Sequence, residues 1–530
     1  RQRQMCIRDS LQLVGEEKYE EAMEVITEKN PLPFITGTIC AHNCMSKCTR
    51  NFYETPVHIR EMKLKAAENG YEALLEKLPV PAVTKAGKAA VIGGGPAGMA
   101  AAYFLRKGGM EVTLFEAKES LGGVVRHVIP PFRISEDAIE KDAEILRKMQ
   151  VDIRCNTKVE SLEELKKQGY TKIVLAVGAP VQGSLKLESG MPKNALEFLA
   201  EFKQTDGKVS LGKHVVVIGG GNTAMDTARA AKRNAGVEHV YLIYRRTRRY
   251  MPADEEELVM TLEDGVEFKE LLSPVKLENG QLLCKVMQLS DYDVSGRRGV
   301  TETGETVWVP ADTVIAAVGE KVPTDWYQAN GLAVSEKGRL YVDEKTLKTS
   351  DDNVYAAGDG LYGPATVVEA IRDGRKVAEA IAGEVLARDF DKLAEEEKVY
   401  AKRGVLKEEQ KETKEAGRCL GCSTICENCV EVCPNRANIA IQVPGMEKHQ
   451  IIHVDYLCNE CGNCKSFCPY SSAPYLDKFT LFATEADMEN SKNQGFAVLN
   501  QETRRCKVRF FGKTFIWEPE KPAGLPDGLR

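Results

Sequence analysis

The sequence predicts an α/β protein with two doubly wound parallel sheets, a helical cysteine-rich segment before them and a small α+β cysteine-rich module after them. Three observations predict it. Strand, glycine loop and helix succeed one another at Ala89–Gly98 and again at Lys213–Ala224. Short apolar strand ends recur at Ile173–Gly178, Val314–Gly319 and Asn353–Gly358, as alternating strands and helices require. Nine cysteines lie between Cys419 and Cys468, in two runs that each end in Cys-Pro.

Composition allows this. The 530 residues suffice for three or four domains, and 43% hydrophobic with 28% charged content lets each build an ordinary core. A net charge of −6 argues against nucleic acid as the main partner. No apolar stretch approaches the ~20 residues of a membrane span, and no signal peptide precedes the first domain. Sixteen cysteines in so long a chain do not suggest a disulfide-stapled miniprotein. A reducing, cytoplasmic setting is expected.

Residues 1–10 are set aside: position 1 is not Met, and Arg1–Ser10 resembles a translated sequencing adapter more than protein. The chain is expected to extend upstream and to begin inside a domain. Residues 11–88 then form a helical segment holding Cys40, Cys44 and Cys48, ahead of a helix beginning near Val57.

In the first glycine loop, Gly93 permits a tight turn, Gly95 lets the backbone approach a pyrophosphate, and Gly98 allows close helix–strand packing. The next strand ends at Glu116, placed to accept from ribose hydroxyls. The second loop is Gly219-x-Gly221-Asn222-Thr223-Ala224, but its second strand ends in Arg245 and Arg246 instead of an acid. An acid there would bond a 2′-hydroxyl, whereas arginine accommodates a 2′-phosphate, so NADPH is expected over NADH. The plain alternative is a solvated basic turn. Gly358-Asp359 follows the last strand end, where Asp359 either touches a cofactor or caps the following helix. Cys155 and Cys284 stand alone and read as small core residues rather than a dithiol.

Residues 387–417 are almost wholly charged and read as a solvated helical spacer. The two cysteine runs come next: Cys422-x3-Cys426-x2-Cys429-x3-Cys433-Pro434 and Cys458-x2-Cys461-x2-Cys464-x3-Cys468-Pro469. The second is the spacing of a bacterial 4Fe–4S ferredoxin, and in two-cluster ferredoxins the fourth cysteine of each run ligates the other cluster. One cluster is therefore assigned to Cys422, Cys426, Cys429 and Cys468, and the other to Cys458, Cys461, Cys464 and Cys433. Cys419 is left over and could replace Cys422. Two zinc ribbons are the alternative, but they give no reason for the repeated C-x3-C-P ending. The tail after Tyr475 alternates over Val508–Trp517 as a small hairpin would.

The order of glycine loops and strand ends resembles the two-dinucleotide-binding flavoprotein reductases, in which an NAD(P) domain is inserted into an FAD domain. The resemblance implies FAD at Gly93, Gly95, Gly98, Glu116, Gly358 and Asp359. The stretch from Asn30 to Arg50 is similar to the N-terminal iron–sulfur domain of the glutamate synthase small subunit and of dihydropyrimidine dehydrogenase, which makes Cys40, Cys44 and Cys48 candidate 4Fe–4S ligands. Together with Cys433-Pro-Asn-Arg-Ala-Asn438 and Leu457–Cys464, nearly all of residues 11–530 resembles the selenate reductase flavin/iron–sulfur subunits. Members of that family also carry a barrel-like N-terminal region; no molybdenum site is visible in this sequence. The implied fold is two interleaved doubly wound domains, FAD-binding at 89–210 and 318–386 and NADPH-binding at 211–317, with a ferredoxin-like module at 418–475 and a tail at 476–530. The implied function is transfer of electrons from NADPH through FAD to 4Fe–4S clusters, and on to a protein acceptor, the barrel domain or a molybdenum-enzyme subunit. A glutamate synthase small chain and a non-catalytic relay scaffold are the alternatives.

Overall fold

The computed structural model describes residues 2–46, 48–52, 55–292, 298–387, 407–420, 427–443, 449–468, 472–510 and 512–519. They fall into two compact units.

Residues Ile26–Ala41 and Ala67–Arg388 form the larger unit. Its strands in chain order are β1 (Lys88–Ile92), β2 (Glu111–Phe115), β3 (Asp152–Arg154), β4 (Tyr170–Leu175), β5 (Val181–Gln182), β6 (Lys193–Asn194), β7 (His214–Ile218), β8 (His239–Tyr244), β9 (Glu267–Glu270), β10 (Leu272–Glu278), β11 (Gln281–Tyr292), β12 (Arg298–Pro310), β13 (Thr313–Ala316), β14 (Glu320–Lys321) and β15 (Val354–Ala356). Two sheets are wholly parallel, in the orders β15-β4-β1-β2-β3 and β6-β13-β7-β8-β9. Continuous apolar runs such as Ala89–Ile92 and Val215–Ile218 suit strands covered on both faces, and all eight residues are buried. In each sheet the order reverses beside the strand that precedes a glycine loop, β1 or β7, which is where a doubly wound sheet opens a crevice. Strands β10, β11 and β12 make an antiparallel meander.

The chain leaves the first sheet after β4 and returns to it at β15, so the second doubly wound domain is inserted in the first. The short antiparallel pair β5/β14 joins the two crossings. The outward crossing falls earlier than the expected boundary at 210. Strand β6 already pairs with β13, and helix Ala195–Gln204 packs Phe198, Leu199 and Phe202 against Val215 and Met225 of the second domain. A two-residue strand is too short to register as periodicity, so the sequence does not mark this crossing.

Residues Arg1–Val25, His42–Ala66 and Asp389–Arg530 form the smaller unit. Its strands β16 (Asn438–Ile441), β17 (Gln450–Val454), β18 (Phe479–Phe482), β19 (Gly495–Asn500), β20 (Arg505–Phe510) and β21 (Lys513–Trp517) make one six-stranded sheet in sequence order. The expected tail hairpin is present as β20/β21, but it does not stand apart. Strands β17 and β18 pair across the expected 475/476 boundary, and Phe482, Met488 and Ala497 form a small core beyond it.

Two further expectations change. Residues 2–10 do not separate from the residues after them: helix Gln2–Gly15 is continuous, and Asp9 and Ser10 are fully buried. The spacer is not solvated to its end, because the 3-10 helix Glu412–Arg418 buries Glu415 and Arg418 completely. Glu415 belongs to that run, and the guanidinium of Arg418, just beyond it, donates to Glu415 at 2.6 Å and to the carbonyls of Thr55 and Pro56 at 2.8 and 3.3 Å. Residues 388–406 of the spacer lie outside the described residues. No helix among the described residues is long and apolar enough to cross a membrane.

Candidate functional site

The first glycine loop joins β1 to helix Pro96–Lys107. Gly93 has φ +105°, and a Cβ there would lie 2.3 Å from the Ala176 carbonyl oxygen, so only glycine makes the turn. A Cβ on Gly98 would lie 1.9 Å from the Gly93 carbonyl oxygen; its absence lets the helix close on the strand. In front of Gly95 a Cβ would meet only the Cα of Gly123, at 3.8 Å. The loop therefore faces open space at the start of a twelve-residue helix, a cradle that fits a pyrophosphate. Glu116, at the end of β2, is buried and accepts from the Gly94 and Lys118 amides at 2.7 and 2.8 Å. It holds the loop in shape.

Gly358 follows β15 with φ +72°, and a Cβ on it would lie 2.6 Å from the Cβ of Ala97 in the first turn beyond the glycine loop. Asp359 is thereby brought to the same crevice. Its carboxylate accepts from the Ala365 amide at 3.1 Å. Burial pushes its pKa up to about 6, with Glu320, Glu369 and Asp373 adding negative charge nearby. The helix Val367–Ala382 is capped by Thr366 and Glu369 in a reciprocal capping box, so Asp359 is not needed as its cap. Tyr327, fully buried, donates to the Gly360 carbonyl at 2.8 Å and pins this turn.

The second loop joins β7 to helix Asn222–Arg233. Gly219 has φ +154°, and its Cβ would meet the Ala317 carbonyl at 2.5 Å. Gly221 precedes the helix, and a Cβ there would meet only Pro252 Cγ at 4.0 Å, a second open cradle. Asn222 and Asp254 bond reciprocally, Asn222 donating at 3.2 Å and accepting from the Asp254 amide at 2.9 Å. The Thr223 carbonyl accepts from the Thr227 hydroxyl at 2.6 Å, and Ala224 is fully buried where the third glycine would stand. Arg245 and Arg246 end β8 beside this loop; Arg245 is exposed, and Arg246 donates through Nε to the Arg298 carbonyl at 2.8 Å.

In the smaller unit, Cys433, Cys458, Cys461 and Cys464 line one cavity, together with Asn438 and Tyr475. Cys433 thus shares a cavity with the first three cysteines of the second run. The Ala437 amide donates to Cys433 Sγ at 3.2 Å and the Glu460 amide to Cys458 Sγ at 3.3 Å, contacts that favour thiolates. The Cys458 thiol is raised, chiefly by burial and further by Cys433 and Cys464. Cys429 is pushed up to about 11, mainly by burial, and feels the charges of Cys464 and Cys468. Cys422 and Cys426 lie outside the described residues. A zinc tetrahedron at about 2.3 Å per bond needs tightly convergent sulfurs. Among the described residues no three His, Cys, Asp or Glu side chains could hold a single ion.

Cys40 caps the C-terminus of helix Pro33–Ile39 and is half-buried. That helix is held by the fully buried Asp142, which accepts from the Phe34 and Ile35 amides at 3.1 and 2.8 Å. Cys44 lies on the short helix Asn43–Ser46 and Cys48 just beyond it, both half-buried. Cys284 is buried in the core, its thiol pushed up to about 12 by burial, and Cys155 is half-buried.

Sequence reasoning missed several contributors. Gly122 and Gly123, at φ +120° and +55°, pack against the first loop: Gly122 donates to the Gly94 carbonyl at 2.8 Å, and a Cβ on Gly123 would lie 2.8 Å from Gly95 Cα. The doubled glycine just past Glu116 was the available signal. Gly374 lets helix Val367–Ala382 approach helix Pro96–Lys107, and Tyr327 and Asp142 carry no local signature at all.

Comparison with known proteins agrees with this geometry. The family described as pyridine nucleotide-disulphide oxidoreductase matches residues 87–374. The one described as dihydropyrimidine dehydrogenase domain II, 4Fe-4S cluster, matches residues 3–73. A protein of Escherichia coli (strain K12) named as an oxidoreductase, YgfK, is 39% identical over 96% of this chain and 51% of its own length. The NADPH-Fe(3+) oxidoreductase subunit beta of Geobacter sulfurreducens (strain DL-1 / KN400) is 33% identical over 70% of this chain and 61% of its own. The glutamate synthase [NADPH] small chain of E. coli (strain K12) is 33% identical over 70% of this chain and 84% of its own. The chain spans about half the length of YgfK.

Proposed function

Since the chain belongs to the pyridine nucleotide-disulphide oxidoreductase family, we propose that it takes electrons from NADPH and delivers them singly to a protein partner. The carrying observation is the pair of open glycine cradles on two interleaved parallel sheets, one beside Gly358-Asp359 and one beside Arg245. When bound, the flavin and the clusters supply the change from hydride to single electrons. The chain's residues do the holding. Gly93, Gly95 and Gly98 seat the FAD pyrophosphate, Glu116 shapes that loop, and Gly358-Asp359 meets the flavin side. Gly219, Gly221, Asn222, Thr223 and Ala224 seat NADPH, and Arg245 with Arg246 receives its 2′-phosphate.

Electrons leave through two 4Fe–4S clusters, one on Cys433, Cys458, Cys461 and Cys464, the other on Cys422, Cys426, Cys429 and Cys468. Cys40, Cys44 and Cys48 serve a further cluster, a reading supported by the domain II match over residues 3–73. That relatives are named as subunits supports a protein acceptor. The finer identity is a selenate reductase flavin/iron–sulfur subunit, acting in the cytoplasm and handing electrons to a barrel domain or a molybdenum-enzyme subunit.

The test is anaerobic. The chain is loaded with FAD, iron and sulfide, then mixed with NADPH and a ferric acceptor. Bleaching of the flavin, appearance of reduced-cluster resonances and turnover are expected. A loaded chain that stays oxidised under NADPH overturns the reading and leaves a passive relay.

A further inference from the structure

Asn438 opens β16 and is 1% exposed. Its Nδ2 donates to the Cys429 carbonyl at 3.0 Å. Its Oδ1 lies 3.0 Å from Nδ1 of His453, the residue directly opposite on β17 and 2% exposed. Since the carboxamide nitrogen is committed to a carbonyl, Oδ1 must be the acceptor, and Nδ1 of His453 must carry the proton. The same Asn438 lines the cavity of Cys433, Cys458, Cys461 and Cys464. One carboxamide, fixed at both ends, therefore touches the main chain of a thiol assigned to one cluster and the wall of the cavity assigned to the other.

We propose that Asn438, oriented by His453, is a positioning residue shared by the two C-terminal clusters, which sets the electrostatic environment of both. The proposal rests on the two-cluster assignment of these cysteines. Polar groups just outside the ligands tune a cluster's potential, and a buried amide dipole acts in a medium that screens it weakly. An ordinary strand-opening asparagine would need neither the buried histidine nor a place in the cavity wall. Asn435 serves as the comparison, because it lines the same cavity but is exposed.

The full chain is reconstituted anaerobically, and both C-terminal clusters are followed in a redox titration monitored by electron paramagnetic resonance. Cys429→Ser and Cys464→Ser identify their signals. Asn438→Leu, close in volume but unable to hydrogen bond, should keep its iron and shift both midpoint potentials, whereas Asn435→Ala should shift at most one. Unchanged potentials in Asn438→Leu, or a shift confined to the Cys464 cluster, overturns the proposal. If Asn438→Leu takes up no iron, His453→Phe decides: it leaves the amide but removes its orienting donor, and must again move both potentials. A wild-type chain that binds no iron at this module defeats the two-cluster reading instead, which is a distinguishable result.

Discussion

Arg245 and Asp359 show how far a single residue can be read. The absence of an acid at the end of β8 is visible in the sequence, and the structure leaves Arg245 exposed beside the second loop. A charge-assisted bond to phosphate is worth about 1.5–3 kcal/mol, and solvent exposure favours the lower end. Arg245→Ala should therefore lower kcat/KM for NADPH about tenfold and leave that for NADH unchanged. An unaltered ratio would remove the 2′-phosphate role. Arg246→Ala differs, because it also releases the Arg298 carbonyl. For Asp359, burial raises the folded pKa from 3.8 to about 6. Between those values the folded state holds a proton that the unfolded chain has lost, so stability falls as pH rises through this window. At 1.36 kcal/mol per pH unit the full loss is roughly 3 kcal/mol. In flavin-free protein, Asp359→Asn should abolish that slope and be the more stable form above pH 6; equal pH dependence in both proteins would contradict the assigned burial.

At the scale of elements, the two glycine loops make unequal demands. A Cβ on Gly98 would sit 1.9 Å from the Gly93 carbonyl, whereas Ala224 already carries its methyl group fully buried. Forcing a methyl group into a close-packed contact costs about 1–3 kcal/mol. Gly98→Ala should thus weaken FAD retention about tenfold, read as flavin absorbance after gel filtration. Ala224→Gly should cost only about 1 kcal/mol of stability, from helix propensity, and leave flavin content intact. Equal flavin loss in both would show that loop packing is not what Gly98 protects. Both loops were legible in the sequence because glycine spacing and apolar strands are local signals. Strand β6 and helix Ala195–Gln204 were not, since their place is decided by Phe198 and Phe202 meeting Val215.

For the molecule as a whole, the charged stretch before the cysteine runs carries more order than its composition suggests. Glu415 and Arg418 are fully buried, and each is satisfied by several partners: Arg418 by Thr55, Pro56 and Lys407, Glu415 by the His58 and Gln410 amides. Arg50, also buried, donates to the Arg418 carbonyl. Removing one member of a buried pair strands the other charge at a cost of about 3–5 kcal/mol, while replacing both by apolar residues costs far less. Arg418→Met should lower the melting temperature and admit trypsin at Lys407, Lys411 and Lys414. The double change Glu415→Leu/Arg418→Met should recover much of the loss. Equal destabilisation by the single and double variants would mean that packing, not charge, holds this segment.

What the sequence determined by itself was everything carried by short-range pattern: two glycine loops with their strands, the arginines ending β8, the cysteine spacing, and the order that implies one domain inserted in another. The repeated Cys-Pro ending is likewise local, and it is the reason to expect Cys433 beside the Cys458 run, with which it shares a cavity. Tertiary structure alone decided the rest. It moved the first domain crossing ahead of β6, joined β17 to β18 across an expected boundary, buried Glu415 at the end of a run of charge, and set Asn438 against the Cys429 carbonyl and the wall of the Cys433 cavity. Each of these depends on a partner far away in sequence, and a local pattern holds no record of what a side chain will meet once the chain has closed on itself.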